Sequence, residues 1–141
     1  MNNKTARFLL DTNIVSEPLR PRPKRTILTH LAQHQHHLAI SAPVWHELWF
    51  GCQRLPASTR RSAIERYLQD VVAASMPILP YDDRAATWQA SQRARLTNQG
   101  LTPPFVDSQI AAIAWANNLT LVTLNRADYD HFSDLTVVDW C

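Results

Sequence analysis

Four acidic residues in separate parts of the chain are the candidates for chemistry. Asp11 directly follows the apolar run "RFLL", and Glu47 lies within "VWHELWFG". Asp107 follows a pair of prolines, and Asp128 comes three residues after the run "LTLVTLN". Carboxylates held close together repel one another, and a divalent cation is their usual compensation. Mg²⁺ prefers oxygen ligands, and such an ion can polarise a phosphoryl oxygen and activate a bound water. A cluster of the four would therefore indicate hydrolysis of a phosphodiester bond.

Each of these acids also has a structural interpretation. The side chains of Asp11 and Asp128 could cap turns, and Asp107 could be the N-cap of a helix. Glu47 is harder to explain in this way, because it lies among aromatic and aliphatic residues where an uncompensated carboxylate is costly to bury. The choice between a metal site and four separate structural roles depends on whether the chain brings the four acids together.

The elements that must position the acids alternate between strand and helix. Apolar runs predict strands at 7–11, 37–41, 76–82, 119–125 and 135–140. Helical patterns occupy 23–35, 42–52, 62–75, 84–100 and 103–118, with Ser41 as one N-cap and Gly100 closing another helix. Such alternation is typical of an α/β fold with a mainly parallel sheet that is covered on both faces. Ligands of such folds bind beyond the carboxyl ends of the strands, where all four acids fall.

The composition is that of a globular protein with one domain spanning residues 1–141. The 141 residues are 45% hydrophobic, and the net charge of +2 does not by itself indicate a nucleic-acid partner. The sequence has no apolar stretch long enough to span a bilayer and no signal-peptide pattern at its start, so we expect a cytoplasmic protein without a membrane partner. Two cysteines far apart form no CxxC pair, which argues against a zinc or redox motif.

Basic residues form three groups that could surround the acids. These groups are Arg20, Arg22, Lys24 and Arg25, then Arg60 and Arg61, then Arg93 and Arg95. They could contact phosphates around an acidic centre or could simply be solvated surface.

Four segments resemble the motif regions of PIN-domain ribonucleases, and in particular the VapC-type toxins of bacterial type II toxin–antitoxin pairs. They are "LLDTNIVSE", "SAPVWHELWFG", "PPFVDSQIAAIA" and "LVTLNRADYDHF", in the family's order and spacing. The closing "LTVVDW" also resembles the end of these chains, and "SEPLRPRP" resembles the FitB-like branch. One segment departs from the common pattern, because many relatives carry a glycine shortly before the third acid where this chain has "PPF".

The resemblance implies a three-layer α/β/α fold with a sheet of four to five strands and a Mg²⁺- or Mn²⁺-dependent endoribonuclease site. By motif position, Asp11 and Asp107 would ligate the metal directly, while Glu47 and Asp128 would complete the acidic pocket, often through water. Four small polar residues match positions that typically hydrogen-bond the acids or the attacking water: Thr12, Asn13, Thr123 and Asn125.

The resemblance also implies partners. The substrate would be RNA, with transfer or ribosomal RNA as the expected class. A small VapB-like antitoxin would place a basic side chain in the acidic pocket, and the chain would form a homodimer or a toxin–antitoxin hetero-oligomer. Arg93 and Arg95 could contact either the substrate phosphates or the antitoxin.

Other functions fit the sequence less well. An aspartyl-phosphate phosphatase needs a second acid two residues after the nucleophile, where this chain has Asn13. With two glycines in the whole chain, neither a P-loop nor a GxGxxG turn can be written. The remaining alternative is a co-repressor of the antitoxin, in a FitB-like DNA-binding complex, with little nuclease activity of its own.

Overall fold

A computed structural model describes residues 5–141. Its five strands are β1 (Phe8–Leu10), β2 (Leu38–Ser41), β3 (Ile78–Leu79), β4 (Thr120–Val122) and β5 (Val137–Val138). They form one sheet in the order β3-β2-β1-β4-β5, and every neighbouring pair is parallel. The predicted α/β class with a parallel sheet is therefore confirmed.

The helices connect the strands and cover the sheet. They are α1 (Thr12–Val15), α2 (Arg25–Gln33), α3 (Ala42–Gln53), α4 (Thr59–Arg66), α5 (Ala73–Ser75), α6 (Asp83–Asn98) and α7 (Phe105–Ala116). Leu9 and Leu10 are consecutive residues of the central strand β1, so their side chains point to opposite faces of the sheet. Both are fully buried. Both faces of the sheet are therefore covered, as expected for parallel strands joined by helices.

The segment predicted as one helix over 62–75 is interrupted. Helix α4 begins earlier, at Thr59, because the side chain of Ser58 caps it by accepting from Arg61 N at 3.1 Å. A π-helical segment, Tyr67–Val72, then separates α4 from α5. The extra residue per turn in a π-helix changes which residues face the core, and Leu68 and Val72 are the ones buried here.

Two predicted helix boundaries lie at proline and glycine positions. Gly100 has φ +79° and follows α6, and Leu101 N donates to Leu96 O across it at 2.8 Å, so the predicted closure is confirmed. Helix α7 begins at Phe105 rather than at Pro103, because a residue before a proline is disfavoured in the helical region. Asp107 consequently lies in the first turn of α7.

Within residues 5–141, none of the helices is both long and apolar enough to cross a lipid bilayer.

Candidate active site

Asp11 lies at the carboxyl end of the central strand β1 and is 8% exposed. It is the N-cap of α1, with Oδ1 accepting from Thr12 N at 2.8 Å. Its other oxygen, Oδ2, accepts from the Thr123 hydroxyl at 2.8 Å and from the Tyr129 hydroxyl at 3.2 Å. The capping interpretation of Asp11 is therefore correct, and the same carboxylate is also oriented by groups from the far end of the chain.

Glu47 approaches Asp11 from α3. This helix begins after Ser41, whose hydroxyl caps it by accepting from Val44 N at 3.3 Å, and Val44 and Leu48 are buried. The spacing of those two core residues places Glu47 on the edge of the helix that looks toward α1. There its Oε2 accepts from the Thr12 hydroxyl at 2.9 Å. Thr12 thus binds two of the acids, Asp11 through its backbone and Glu47 through its side chain.

Asp107 is half-buried, and the charges of the other three acids affect its pKa. Its pKa is raised from 3.8 to about 6, and burial is the largest cause. The negative charges of Asp11, Asp128 and Glu47 raise the pKa further, in that order. A hydrogen bond with Tyr129 acts in the opposite direction. The four acids predicted from sequence therefore converge on one electrostatic site.

The N-cap interpretation of Asp107 is wrong. Pro104 is the N-cap of α7, and Asp107 is the third residue of the helix. A carboxylate in a first helical turn is favoured by the helix dipole, which partly offsets the repulsion from the other acids.

Asp128 is the exposed member of the cluster. It ends a short 3₁₀ turn, Arg126–Asp128, that follows β4, and its N–H donates to Asn125 O at 3.0 Å. The turn carries Asp128 out from the end of the sheet and to the rim of the acidic site.

The four small polar residues have different roles. Thr12 and Thr123 hydrogen-bond the acids, as described above. Asn13 instead accepts from Leu124 N at 3.3 Å, and Asn125 N donates to the Thr123 hydroxyl at 3.1 Å. Asn13 and Asn125 thereby fix the loop after β4, which carries Thr123 and Asp128.

Tyr129 is a site residue that the sequence analysis missed. It is 1% exposed, and its hydroxyl hydrogen-bonds Asp11. Burial, followed by the charges of Asp11 and Asp107, raises its pKa far above the ordinary value of 10, so the hydroxyl keeps its proton and acts as a donor. The sequence feature that could have identified it is its position within the segment "NRADYDHF", which also contains Asp128. A tyrosine that is buried there needs a hydrogen-bond partner for its hydroxyl.

The donor set fits a hard divalent ion. All four groups are carboxylates, and the pKa of Asp107 is raised first by burial and then by the negative charges of the other three. Across residues 5–141, no three His, Cys, Asp or Glu side chains are close enough to ligate one ion together. This arrangement suits Mg²⁺, which typically uses one or two protein carboxylates and keeps several waters.

A groove of about 530 Å³ borders the acids on the side of α3 and α4. Thr12 and Glu47 line it together with Arg20 and Arg60. The Arg20 guanidinium lies 3.4 Å from the carboxylate of buried Glu17. Members of two of the predicted basic groups thus line the same groove as one of the acids.

The third basic group divides into two roles. Arg95 donates to Gln92 Oε1 at 2.7 Å and to His131 O at 2.6 Å, so it holds the loop after Asp128 against α6. Arg93 is exposed and lies over the ring of Phe105.

The fold and the carboxylate site together define the class of protein. The PIN domain family model matches residues 8–135, and the chain belongs to that family.

Individual relatives are similar over most of their length. The chain is 30% identical to the VapC ribonuclease Y4jK of Sinorhizobium fredii over 126 residues, covering 87% of this chain and 90% of the relative. It is 29% identical to the tRNA(fMet)-specific endonuclease VapC of Shigella flexneri, covering 95% and 98%. It is also 29% identical to toxin FitB of Neisseria gonorrhoeae, covering 86% and 90%. The crystal structure of FitAcB from that organism superimposes with a TM-score of 0.82 at 28% identity, covering 94% and 97%.

Proposed function

We propose that this protein is a divalent-metal-dependent endoribonuclease and the toxic component of a toxin–antitoxin pair. The observation that carries the proposal is the convergence of Asp11, Glu47, Asp107 and Asp128. Thr12 hydrogen-bonds both Asp11 and Glu47, and the charges of the other three acids add to burial in raising the pKa of Asp107. Two of the similar proteins reported above are a ribonuclease and an RNA endonuclease by name, and a third is a toxin.

Asp11 and Asp107 are the proposed direct ligands of Mg²⁺ or Mn²⁺. They are the two acids that Tyr129 bonds, and they lie on the rigid elements β1 and α7. When bound, the ion supplies charge neutralisation at a phosphoryl oxygen and a lowered pKa for a bound water.

The remaining polar groups of the site orient these ligands. Thr123 and Tyr129 hold Oδ2 of Asp11 from one side, and Thr12 N holds Oδ1 from the other. The carboxylate therefore has one orientation before any ligand binds. The Thr12 hydroxyl holds Oε2 of Glu47, which leaves the second oxygen of Glu47 to accept a hydrogen bond from water. Positioning of this kind is the main protein contribution to phosphodiester hydrolysis.

RNA is the proposed substrate, and transfer or ribosomal RNA is the proposed class. The groove beside Glu47 carries Arg20 and Arg60, whose charge suits the phosphates of a strand that passes the acids. A small VapB-like antitoxin is the proposed partner, with the toxin in a homodimer or in a hetero-oligomer with the antitoxin. A basic antitoxin side chain in the acidic site would inhibit the enzyme by replacing the cation.

Chelation and metal replacement test the proposal. Purified protein should cut bulk transfer RNA or ribosomal RNA in Mg²⁺ or Mn²⁺, lose this activity in excess EDTA and regain it when either ion is restored. Gel analysis of 5′-labelled RNA measures the cleavage. The Asp11→Asn variant, prepared in the same way, controls for contaminating nucleases. Undiminished cleavage in chelator would reject the metal-dependent mechanism. Equal cleavage by Asp11→Asn would show that the activity is a contaminant and would favour the co-repressor role.

A further inference from the structure

An exposed aromatic residue lies close in sequence to Asp107 of the acidic site. Phe105 is the first residue of α7, two positions before Asp107, and it is 51% exposed. The next residue, Val106, is 39% exposed. Helix geometry places the Cα atoms of Phe105 and Asp107 about 5–6 Å apart. Two adjacent apolar side chains that are this exposed are typical of a binding surface.

The backbone that carries this ring is held firmly. Phe105 O accepts from Gln89 Nε2 at 3.3 Å, and Gln89 is 2% exposed. The Tyr81 hydroxyl in turn donates to Oε1 of Gln89. On the other side, Ser108 donates to Pro104 O through both its N–H, at 3.0 Å, and its hydroxyl, at 2.9 Å. The ring is therefore presented to solvent from a fixed base.

A cation accompanies the ring. The guanidinium carbon of Arg93 lies 5.0 Å from the ring centroid of Phe105, which is a cation–π contact. Arg93 comes from α6, so the pair joins two helices and is not a local feature of one. Its neighbour Arg95 is committed to protein acceptors, as described above, whereas the guanidinium of Arg93 is at the surface and complements a phosphate.

We propose that Phe105 and Arg93 form a stacking site for an unpaired base of the RNA strand that the acidic site cleaves. The inference rests on the proposed ribonuclease function. Unpaired bases stack on aromatic rings and on guanidinium planes, and this is how proteins bind single-stranded RNA. A base would stack on the ring of Phe105, while the guanidinium of Arg93 would contact a phosphate of the same strand. The site would select an unpaired, flexible position of the RNA over a base in a duplex.

Binding to single-stranded RNA tests the stacking site. The Asp11→Asn background prevents cleavage, and the probe is a 12-nucleotide random-sequence RNA with 2-aminopurine at its centre. We expect Phe105→Ala to weaken binding by about 10-fold or more, within the range known for base–aromatic stacking. Phe105→Trp should retain binding. Phe105→Leu should bind nearly as weakly as Phe105→Ala, because it keeps the apolar surface without an aromatic face. Fluorescence anisotropy measures affinity, and quenching of 2-aminopurine, lost in Phe105→Leu, reports stacking itself.

Two further variants sharpen the test. Val106→Ala removes a neighbouring exposed apolar side chain, and it should change affinity by less than about twofold, within the scatter of surface substitutions. Arg93→Gln should weaken binding and reduce the slope of log K against log salt by about 0.7, the value for one lost phosphate contact on a single strand.

The outcomes separate this inference from the proposed function. If the wild-type protein cuts RNA in Mg²⁺ or Mn²⁺ but Phe105→Ala binds the probe as tightly as its parent, the stacking site is wrong and the ribonuclease stands. Equal effects of Val106→Ala and Phe105→Ala would also reject stacking. Unchanged RNA binding with a changed oligomeric state in sedimentation would show that Phe105 belongs to a protein interface, which overturns the assignment. No binding of the probe by the parent protein overturns it as well.

Discussion

Two hollows lie at opposite edges of the sheet, and the larger one is not the candidate active site. At the carboxyl edge, a groove of about 530 Å³ is lined by Thr12 and Glu47 of the acidic site. At the amino end of β4, a hollow of about 590 Å³ is lined by residues that include Arg84, Trp115, Asn118 and Asp134. Both contain charged groups and their volumes are similar, so neither size nor the presence of charge distinguishes them.

The difference lies in what the polar groups do. At the amino end, Arg84 donates to Ala116 O at 2.9 Å and lies over the ring of Trp115 at 4.9 Å. Asn118, with φ +57°, closes α7 by donating to Trp115 O at 3.1 Å. These polar groups serve the end of a helix. At the carboxyl end, the negative charges of Asp11, Asp128 and Glu47 add to burial in raising the pKa of Asp107. The convergence of like charges therefore distinguishes the candidate active site from the hollow at the amino end.

The most direct test of the difference between the two ends is to neutralise one acid at each of them. Asp107→Asn should reduce the rate of RNA cleavage at least about 100-fold, since replacing even the outer partners of metal ligands costs 10- to 100-fold. Asp134→Asn at the amino end should leave the rate unchanged. Asp134 has φ +58°, which asparagine tolerates as well as aspartate, so the control does not strain the backbone. Initial rates on 5′-labelled RNA measure both. Equal losses would remove the distinction between the two ends.

A second experiment tests whether the hydroxyl of Tyr129 contributes to RNA cleavage. Tyr129→Phe removes the hydroxyl that donates to Asp11, so we expect a 10- to 100-fold loss of cleavage, about that of other outer partners of metal ligands. Tyr67→Phe is the matched control, because its hydroxyl donates to Val15 O at 2.6 Å away from the acids. That change should cost about 1–2 kcal/mol of stability and no activity per folded molecule.

Cleavage rates and urea unfolding of the two phenylalanine variants, measured side by side, separate catalysis from stability. If Tyr129→Phe cuts RNA at the wild-type rate, Tyr129 serves only to pack the core.

The pKa of Asp107 predicts a pH dependence of stability in the metal-free protein. The folded state holds this proton up to about pH 6, whereas the ordinary carboxyl value is 3.8. Between these values the folded state binds more protons than the unfolded chain, so stability should fall as the pH rises through that window. At pH 7.5 the variant Asp107→Asn should be more stable than the wild type by about 1–2 kcal/mol, a figure reduced because the carboxyl group is partly solvated.

Urea unfolding in chelated buffer at pH 4 and pH 7.5 measures the difference between the two proteins. The difference in stability between the wild type and Asp107→Asn should disappear at pH 4. Added Mg²⁺ should then stabilise the wild type and not Asp107→Asn, since only a ligand that binds the folded state raises its stability. A gap that is equal at both pH values would show that Asp107 does not carry the repulsion.

The sequence could predict the strands and the edge at which the acids lie. Apolar runs that alternate with helical patterns were enough to predict the five strands. Because parallel strands end on the same side of a sheet, they also placed Asp11, Glu47, Asp107 and Asp128 at one edge. The strands are shorter than the apolar runs: 135–140 was predicted, and only Val137–Val138 are paired. An apolar run records burial, whereas a strand also requires a partner in register, which the local pattern does not contain.

The contacts that orient the acids lay beyond sequence reasoning for a related reason. Tyr129 meets Asp11 across 118 positions, and Arg95 donates to a backbone carbonyl 36 positions away. No local periodicity records such partners. The sequence likewise does not show that the guanidinium of Arg95 has protein acceptors whereas that of Arg93 lies at the surface. Whether these two residues contact the substrate or the antitoxin stays a prediction.

The smallest expected effect belongs to the amino end. Arg84→Ala removes the hydrogen bond to Ala116 O and the contact with Trp115, both at the surface, so the loss of stability should be about 1 kcal/mol or less. RNA cleavage and its Mg²⁺ dependence should match the wild type, because the basic groups proposed to meet RNA lie at the other end of the sheet. Chemical denaturation and RNA cleavage assays measure the two quantities. If Arg84→Ala reduces RNA affinity as much as Arg93→Gln, the amino-end hollow also contacts substrate, and the division between a functional and a structural edge of the sheet does not hold.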